Sequence, residues 1–538
     1  MIVGTPIHKA QLAENYDVVV IGSGIGGLTS AACLSKAGKK VLVLEKHYTA
    51  GGFTHTYSRR GYEWDVGVHY IGEVHREGSV LKKMFDYISD GMIEWAQMDD
   101  VYDRVYLGDE SYDFVSGRER FRNKMVAYFP EEEQAIDRYM QLLQNVSKSS
   151  PWFYLEKALP LWIGSFLYQK LAGNYLKYAG KTTDEVLRTL TKNRRLISVL
   201  TGQWGDYGLP PKESSFGMHG IVAKHYLAGA AYPVGGSSSI AKSIVPTIEK
   251  AGGLVVTRAE VEQILLRGSK AVGVLLASGR EVKADVVISG VGVDNTYRHL
   301  IPKPVVESLG LAQNLQTVSH SMAHVCLYIG LKGSDRELGL ASTNMWVYPD
   351  GNHDENVQKF RGAQSLEFPV VYISFPSSKD PNWLSKFPDK STIEIVAPAP
   401  YTWFEKWQGT KWQNRGADYK AFKQEITDVL LKSLYKKLPH LEGRIHFTEL
   451  STPLSTVHFS NYSKGEIYGL NHDPHRFKTR WLRIQSPVKN LFLTGQDIVT
   501  CGVGGALFSG ILTSLSILGP WRGRALLGLL KHKRKRMN

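Results

Sequence analysis

Cysteine is scarce. Cys33, Cys326 and Cys501 are the only three in 538 residues, far apart and odd in number. That pattern argues against a disulfide framework and a cysteine metal cluster, and fits a reducing compartment. No His/Asp/Cys group has metal-ligand spacing, and His219 and His225 stand six apart, so no metal is expected. No GxSxG elbow occurs, which removes the serine hydrolases. Residues 1 to 15 lack an apolar core, so no N-terminal signal peptide is expected. No run reads convincingly as a membrane span. Leu491 to Leu518 is apolar but carries Asp497, five glycines and several hydroxyl residues, and is better explained as a buried helix packed on a sheet.

Acidic residues are also absent from the last eighteen positions, where Arg522, Arg524, Lys531, Lys533, Arg534, Lys535 and Arg536 supply +7 of the net +14. Half the excess charge is thus a tail, and a nucleic-acid partner is not expected. With Leu526, Leu527, Leu529 and Leu530 between its charges, the tail reads either as a basic amphipathic segment on an anionic membrane surface or as a solvated terminus. The remaining composition, 43% hydrophobic and 22% charged, is that of a folded protein, and the length favours two intertwined domains. A cytoplasmic location is expected, with peripheral membrane contact as the open question.

The informative stretch is Tyr16 to Lys46, YDVVVIGSGIGGLTSAACLSKAGKKVLVLEK. Asp17 to Ile21 has the valine-rich composition of a buried parallel strand. Gly22, Gly24 and Gly27 follow with GxGxxG spacing, then a helical period up to Gly38, then a second buried strand at Val41 to Leu44. Gly22 allows the tight turn, Gly24 lets a pyrophosphate approach the backbone, and Gly27 lets helix and strand pack closely. Glu45, 21 residues after Gly24, stands where a carboxylate accepts from both ribose hydroxyls. The helix N-terminus offers N–H groups to the phosphates. This is a dinucleotide site.

A second glycine pair, Gly51-Gly52, follows with Thr54 and Thr56. Nothing in a nicotinamide-only domain requires it. Here the chain resembles flavoproteins of the amine oxidase and phytoene desaturase type, in which such a pair runs beside the FAD pyrophosphate and ribityl chain. It departs from the amine oxidases in placing His55 and Thr56 where an arginine is usual. Asp65 to Gly72 reads as a strand leading towards the flavin ring. The segment Thr257 to Gly292 reads as strand pairs ending in a buried strand, with Val261 where the resemblance implies a backbone contact to adenine. Leu493-Thr-Gly-Gln-Asp497, followed by Gly502-Val-Gly-Gly505 and a helix, matches the element that holds the ribityl chain and flavin edge. The implied cofactor set is therefore Gly22, Gly24, Gly27, Glu45, Lys46, Gly51, Gly52, Thr54, Val261, Gly495, Asp497, Gly504, Gly505 and Ala506, with FAD as the cofactor.

Residues 76–224 are expected to be a mainly helical substrate and lid region, between FAD-binding parts at 1–75 and 225–300. Pro151 to Tyr178 crowds aromatics such as Trp152, Phe153, Trp162, Phe166 and Tyr175 among lysines, and reads either as the lid of an internal core or as an interfacial surface for a lipophilic substrate. Residues 301–485 are expected to hold a substrate sheet and helices, with strands at His320 to Leu331, Val370 to Phe375 and Thr392 to Ala397, and an amphipathic helix at Asp418 to Leu438. The third FAD-binding part is 486–519, and 520–538 is the tail. The fold class is α/β: a discontinuous Rossmann-like FAD-binding domain with an inserted α+β substrate domain.

Across most of its length the chain resembles the retinol saturase family, among the carotenoid desaturase and isomerase flavoproteins. The resemblance rests on GDYGLPPKESSF at Gly205, HYLAGAAYPVGG at His225, NTYRHLIP at Asn295, FPSSKDPNW at Phe375 and LTGQDIVTCGVGGAL at Leu493. Eukaryotic members carry an N-terminal membrane segment, which is not expected here. The resemblance implies FAD-dependent saturation of a carbon–carbon double bond in a retinoid- or carotenoid-like polyene. Its alternatives are cis–trans isomerisation or desaturation, and a non-catalytic prenyl-lipid carrier of similar fold. Candidate catalytic residues from segments expected to border the flavin are His69, Tyr70, His225, Tyr226 and Gln496. No second complete dinucleotide motif appears, so electrons would come from diffusing NAD(P)H or a partner.

Overall fold

The computed structural model describes residues 2–362 and 365–530; the expectation about Lys531 to Arg536 lies outside them. Its first sheet is built around Asn15–Ile21, whose Val18, Val19 and Val20 are buried as a continuous run, as a strand covered on both faces requires. In spatial order the strands are Thr5–Pro6, Leu254–Thr257, Val41–Leu44, Asn15–Ile21, Glu281–Ser289, Lys270–Leu276 and Val261–Arg267, with Leu491–Leu493 pairing parallel to Glu281–Ser289. Three distant stretches of chain thus share one sheet, the discontinuous arrangement expected. The fingerprint helix, Ile25–Lys36, lies beside the helix Gly502–Arg522: the Ser30 hydroxyl donates to the Gly510 carbonyl, and a Cβ on Gly510 would meet Thr29 at 2.6 Å. Gly502–Arg522 is the one helix among the described residues long and apolar enough to cross a membrane. Its middle is buried against the fingerprint helix, and it kinks at Gly519, where φ is 68°.

The second sheet has the order Ile445–Ser451, His324–Lys332, Lys390–Pro398, Val371–Ser374, Asn344–Tyr348, Val101–Leu107 and Glu110–Val115. Along His324–Lys332 the strand period separates two faces. Val325, Leu327 and Ile329 pack into a core with Ile426, Leu430 and Leu434 of the covering helix Ala417–Lys437, while Cys326 and Tyr328 pack on Tyr62 and Trp64. The hairpin Val101–Val115 falls in a stretch expected to be mainly helical. Its alternation of buried Val105 and Leu107, then Tyr112 and Phe114, about the turn at Gly108 is a strand pattern hidden among helices. The expected strand Asp65 to Gly72 is also shorter: Tyr62–Asp65 ends at Asp65, and only Ile71–Gly72 resumes. There the carboxylate of Asp65 accepts from the Ser237 N–H and the Tyr232 hydroxyl, so side-chain bonds anchor the chain in place of a ladder.

The helices Glu133–Ala158, Leu161–Ala179 and Phe216–Tyr226 form the lid. Its aromatic run divides between buried and exposed side chains. Phe153, Tyr154 and Tyr175 are buried and pack together, whereas Trp162 and Phe166 are 76% and 88% exposed. A buried Arg483–Glu156 ion pair at 2.8 Å and a Lys157 bond to the Leu482 carbonyl at 2.6 Å stitch the lid to the segment before Leu491.

Candidate active site

A single chamber of about 2270 Å³ runs between the two sheets and under the lid. At the nucleotide end its wall is backbone. Gly22 turns at φ 89°, and a Cβ at Gly27 would sit 2.1 Å from the Gly22 carbonyl, so strand and helix meet with no room for a side chain. A Cβ at Gly24 would meet nothing within 4 Å, because that position faces the chamber. Gly24 and Gly51 lie side by side in a bridge, and the Gly51 N–H reaches the Ser23 hydroxyl at 3.1 Å. Glu45 accepts from the Ser23 N–H at 2.8 Å, the Ser23 hydroxyl at 2.6 Å and the His47 N–H at 2.8 Å. A carboxylate has about four acceptor directions, so about one remains for a ribose hydroxyl.

Thr54 donates to the Gly51 carbonyl at 2.9 Å, and Lys46 is engaged by Asn461 and Glu260 at the chamber's edge. Val261 lines the wall behind Glu45, whose carbonyl accepts from the Ala259 N–H. Gly495, Gly504, Gly505 and Ala506 line the other side. The two helices that open here, Ile25–Lys36 and Gly502–Arg522, both start without a side-chain cap. Uncapped N–H groups at two helix starts, an open glycine and a ribose-height carboxylate suit the pyrophosphate and adenosine of FAD.

One expected ligand is placed elsewhere. Asp497 is buried and does not line the chamber: its carboxylate accepts from the Val293 N–H at 2.9 Å and the Leu470 N–H at 3.1 Å. It joins three chain segments under the site.

The far end is made of side chains. The His69 Nδ1 lies 2.7 Å from Glu394 Oε2, and Glu394 Oε1 accepts from the Asp65 N–H. The distance is that of an ion pair, but burial works against both charges. It lowers His69 to about 4, helped by Lys379, and lifts Glu394 to about 8. Burial thus favours the uncharged form of both members of the pair. Asp65 is raised to about 7 by burial and by Glu394. Lys379, lowered to about 8 by burial, donates to the His69 carbonyl, the Asn344 side chain and the Ser374 hydroxyl.

Tyr70 stacks on Tyr226 with centroids 4.5 Å apart, and its hydroxyl lies 2.9 Å from Asp103 Oδ2 and 3.3 Å from Asp206 Oδ2. Asp103 also accepts from Gln203 at 2.7 Å and Asn344 at 3.0 Å. The His225 ring packs edge-on against Tyr226 with centroids 4.7 Å apart, but its polar bond goes elsewhere: its Nε2 accepts the Gly72 N–H at 2.7 Å, and burial lowers the ring to about 4, so it clamps the helix Phe216–Tyr226 to the strand Ile71–Gly72. Gln496 spends its amide on the Tyr462 hydroxyl and the Ile467 carbonyl.

The structure thus brings His69, Tyr70 and Tyr226 together and adds Asp103, Asp206, Glu394 and Lys379, which sequence reasoning missed. Asp206 and Lys379 stand inside GDYGLPPKESSF and FPSSKDPNW, where a charged residue beside glycine or proline reads as a turn.

The family described as flavin containing amine oxidoreductase matches residues 25–518. A zebrafish protein named all-trans-retinol 13,14-reductase is 39% identical over 528 residues, covering 95% of this chain and 87% of the relative. A second zebrafish protein, named inactive all-trans-retinol 13,14-reductase, is 31% identical over 530 residues, with 94% and 86% covered. Prolycopene isomerase 2 of an Oncidium hybrid cultivar is 26% identical over 490 residues, with 87% and 77% covered. Among solved structures, a putrescine oxidase bound to putrescine superposes with TM-score 0.61 over 94% of this chain and 99% of its own; at 17% identity it shares the fold. With the uncapped helix starts and the glycine wall already fitting FAD, these likenesses close the question of kind: the chain belongs to the flavin-containing amine oxidoreductases, in the group of the all-trans-retinol 13,14-reductases, and is an FAD-dependent oxidoreductase.

Proposed function

We propose that the protein saturates one carbon–carbon double bond of a retinoid- or carotenoid-like polyene. The observation that carries this reading is the continuity of the chamber: the glycine wall opens directly into a space lined by Tyr70, Tyr226, Tyr372, Tyr468 and Trp346. Aromatic faces suit a flat conjugated chain, and the water they exclude would otherwise quench a reactive intermediate. Bound FAD supplies hydride chemistry. The chain's part is to hold the polyene flat, to keep the chamber dry and to provide a proton at its far end. Among the candidates, Tyr70 and Tyr226 hold the aromatic wall, His69 and Glu394 hold a buried proton, and His225 and Gln496 fix backbone around them. Glu45, Gly24 and the two helix starts hold the cofactor. NAD(P)H or a reduced partner supplies the electrons from outside.

The test is anaerobic incubation of the reduced, FAD-loaded protein with all-trans-retinol and with carotenoids, followed by mass and chromophore. A gain of two hydrogens is the expected result. An unchanged mass with a shifted isomer ratio would make the protein an isomerase, in line with its prolycopene isomerase relative. Failure to bind FAD would favour a lipid carrier. A relative named inactive matches 94% of this chain, so turnover itself, not likeness, decides.

A peripheral membrane contact belongs to the same reading. Trp162 and Phe166, four residues apart on the helix Leu161–Ala179, project outward together with exposed Trp152 and Leu161, and Lys170 follows one turn on. The chamber's lining includes Ser147, Pro151 and Leu530, so it reaches the lid beside this face. A water-insoluble substrate would enter there from a bilayer.

A further inference from the structure

Saturating a double bond forms two C–H bonds, and only one of the hydrogens is a hydride. Resting on the reading above, we propose that Asp206 is the proton donor to the polyene, with Tyr70 and Asp103 as positioning residues that keep the proton on it. One hydroxyl, that of Tyr70, lies within hydrogen-bond reach of two carboxyls, at 2.9 Å from Asp103 and 3.3 Å from Asp206. A hydroxyl has a single proton to give. Asp103 is the better acceptor: its bond to Tyr70 is the shorter one, and its bonds from Gln203 and Asn344 work against the burial that raises its carboxyl. The Tyr70 proton therefore goes to Asp103, and the Tyr70 oxygen is left to accept, which demands that Asp206 carry a proton of its own.

The placement of Asp206 agrees. Its carboxyl has Tyr70 as its hydrogen-bond partner, and its remaining surface faces the chamber. Its own carbonyl lies 3.6 Å from the Cys501 sulfur, at the cap of the helix Gly502–Arg522, and the Gly205 carbonyl beside it accepts from Tyr468 at 2.8 Å. The carboxyl therefore borders the aromatic space beside the uncapped helix start that faces the cofactor, and its O–H has only to turn from the Tyr70 oxygen to reach it. Charge supports the same assignment. Asp206 is pushed well above the usual carboxylate range by burial first and by the negative charge of Asp103 second. The other titratable groups that feel it, Tyr70, Tyr102, Tyr207, Tyr226, Tyr348, Tyr372, Tyr468 and Cys501, are all raised above their ordinary values by burial first, which favours their uncharged forms.

In the step, the Asp206 O–H bond breaks and a C–H bond forms at the carbon next to the one that receives hydride, as the π pair is consumed. The carboxylate left behind takes a hydrogen bond from Tyr70 until solvent returns a proton. His69 is less suited, because its ring is held neutral and its Nδ1 is tied to Glu394.

The test uses FAD-loaded protein and the variants Asp206→Asn, Asp103→Asn and Tyr70→Phe. In the infrared spectrum of wild type at neutral pH, without any polyene, a carboxylic-acid C=O stretch is expected beyond those of Asp65 and Glu394, and the difference spectrum against Asp206→Asn should show its loss. In single turnovers of reduced protein with all-trans-retinol, Asp206→Asn should slow product formation about 10²- to 10⁴-fold while retinol binding and the flavin spectrum stay unchanged. The wild-type rate should fall as pH rises through the Asp206 pKa, and Asp103→Asn should move that limb to lower pH by removing the neighbouring negative charge. Tyr70→Phe should slow the step less and keep the infrared band. Wild-type rates in Asp206→Asn, or a difference spectrum between wild type and Asp206→Asn with no carboxylic-acid band, overturn the proposal. If wild-type protein turns over no polyene, the reading of its function fails, and the inference about Asp206 then stands or falls on the band.

Discussion

At the nucleotide end of the chamber the protein presents backbone: open Gly24, crowded Gly27, paired Gly51 and Gly52, and two helix starts with no side-chain cap. At the polyene end it presents side chains, with Tyr70, Asp103, Asp206, His69, Glu394 and Lys379 joined by hydrogen bonds. The two ends solve different problems. Phosphate recognition needs N–H groups at close approach, which any glycine-rich turn before a helix supplies. Holding a proton in an apolar space needs particular groups at particular distances, because an uncompensated charge there costs several kcal/mol. The first kind of site depends on local sequence; the second depends on what tertiary structure brings together.

The largest effects should come from breaking the backbone end, and two neighbouring glycines should break it differently. Gly27→Val places a side chain where even a Cβ would lie 2.1 Å from the Gly22 carbonyl. Both partners are backbone, so neither can swing aside, and overpacking of this kind costs about 3 kcal/mol or more. The variant should be insoluble, or melt far below wild type and carry no flavin bands. Gly24→Ala should behave otherwise. Its φ of −59° suits alanine, and a Cβ would meet no protein atom within 4 Å. It should keep the wild-type melting curve of the apo-protein yet bind FAD about 100-fold more weakly, about 2.7 kcal/mol, because the methyl takes the pyrophosphate's space. Calorimetric titration with FAD decides it. Tight binding by Gly24→Ala would move the phosphates away from this turn.

The same difference explains what could be read in the chain. Asn15–Ile21, Ile25–Lys36 and Val41–Leu44 appear where the valine run, the helical period and Gly38 put them. At Asp497 the strand, acid and glycine-opened helix form a local pattern, whereas its partners Val293 and Leu470 come from segments about 200 and 27 residues away. Asp103 and Asp206 could not be paired in advance, since each is unremarkable alone. What joins them to Tyr70 is the packing of the hairpin Val101–Val115 beside Asn344–Tyr348, and that hairpin lay in a stretch read as helical. Lys379 was quoted for its motif, but its three acceptors belong to residues 69, 344 and 374.

An intermediate effect should come from protons stored at the side-chain end. Asp65 and Glu394 are raised by burial to about 7 and about 8, from ordinary values of 3.8 and 4.5. In the folded state both keep a proton that the unfolded chain releases. Stability from these groups is therefore full below about pH 4, falls as pH rises, and is lost beyond about pH 8, a change of the order of a few kcal/mol. Glu394→Gln retains an acceptor for the Asp65 N–H and cannot ionise. Its melting temperature should fall less steeply between about pH 5 and pH 8 than that of wild type and exceed it at the upper end. Parallel curves would mean that Glu394 is charged in the folded protein.

The smallest effect on stability should come from the lid's outer face, and there the comparison turns on solvent. Trp162 and Phe166 at 76% and 88% exposure gain little from folding, so Trp162→Ser with Phe166→Ser should change stability by no more than about 0.5 kcal/mol. If they instead enter a bilayer interface, each contributes about 1.5–3 kcal/mol of apolar burial that the folded protein alone does not use. The double variant should then float with vesicles containing an anionic lipid at least tenfold less than wild type, while turning over detergent-solubilised polyene at the same rate. Equal flotation would remove the membrane from the account, and lost turnover in detergent would make these side chains part of the lid's working surface. A variant silent in stability and loud in flotation would locate the entrance on this face, since the inward half of the same aromatic run, Phe153, Tyr154 and Tyr175, is already committed to the core.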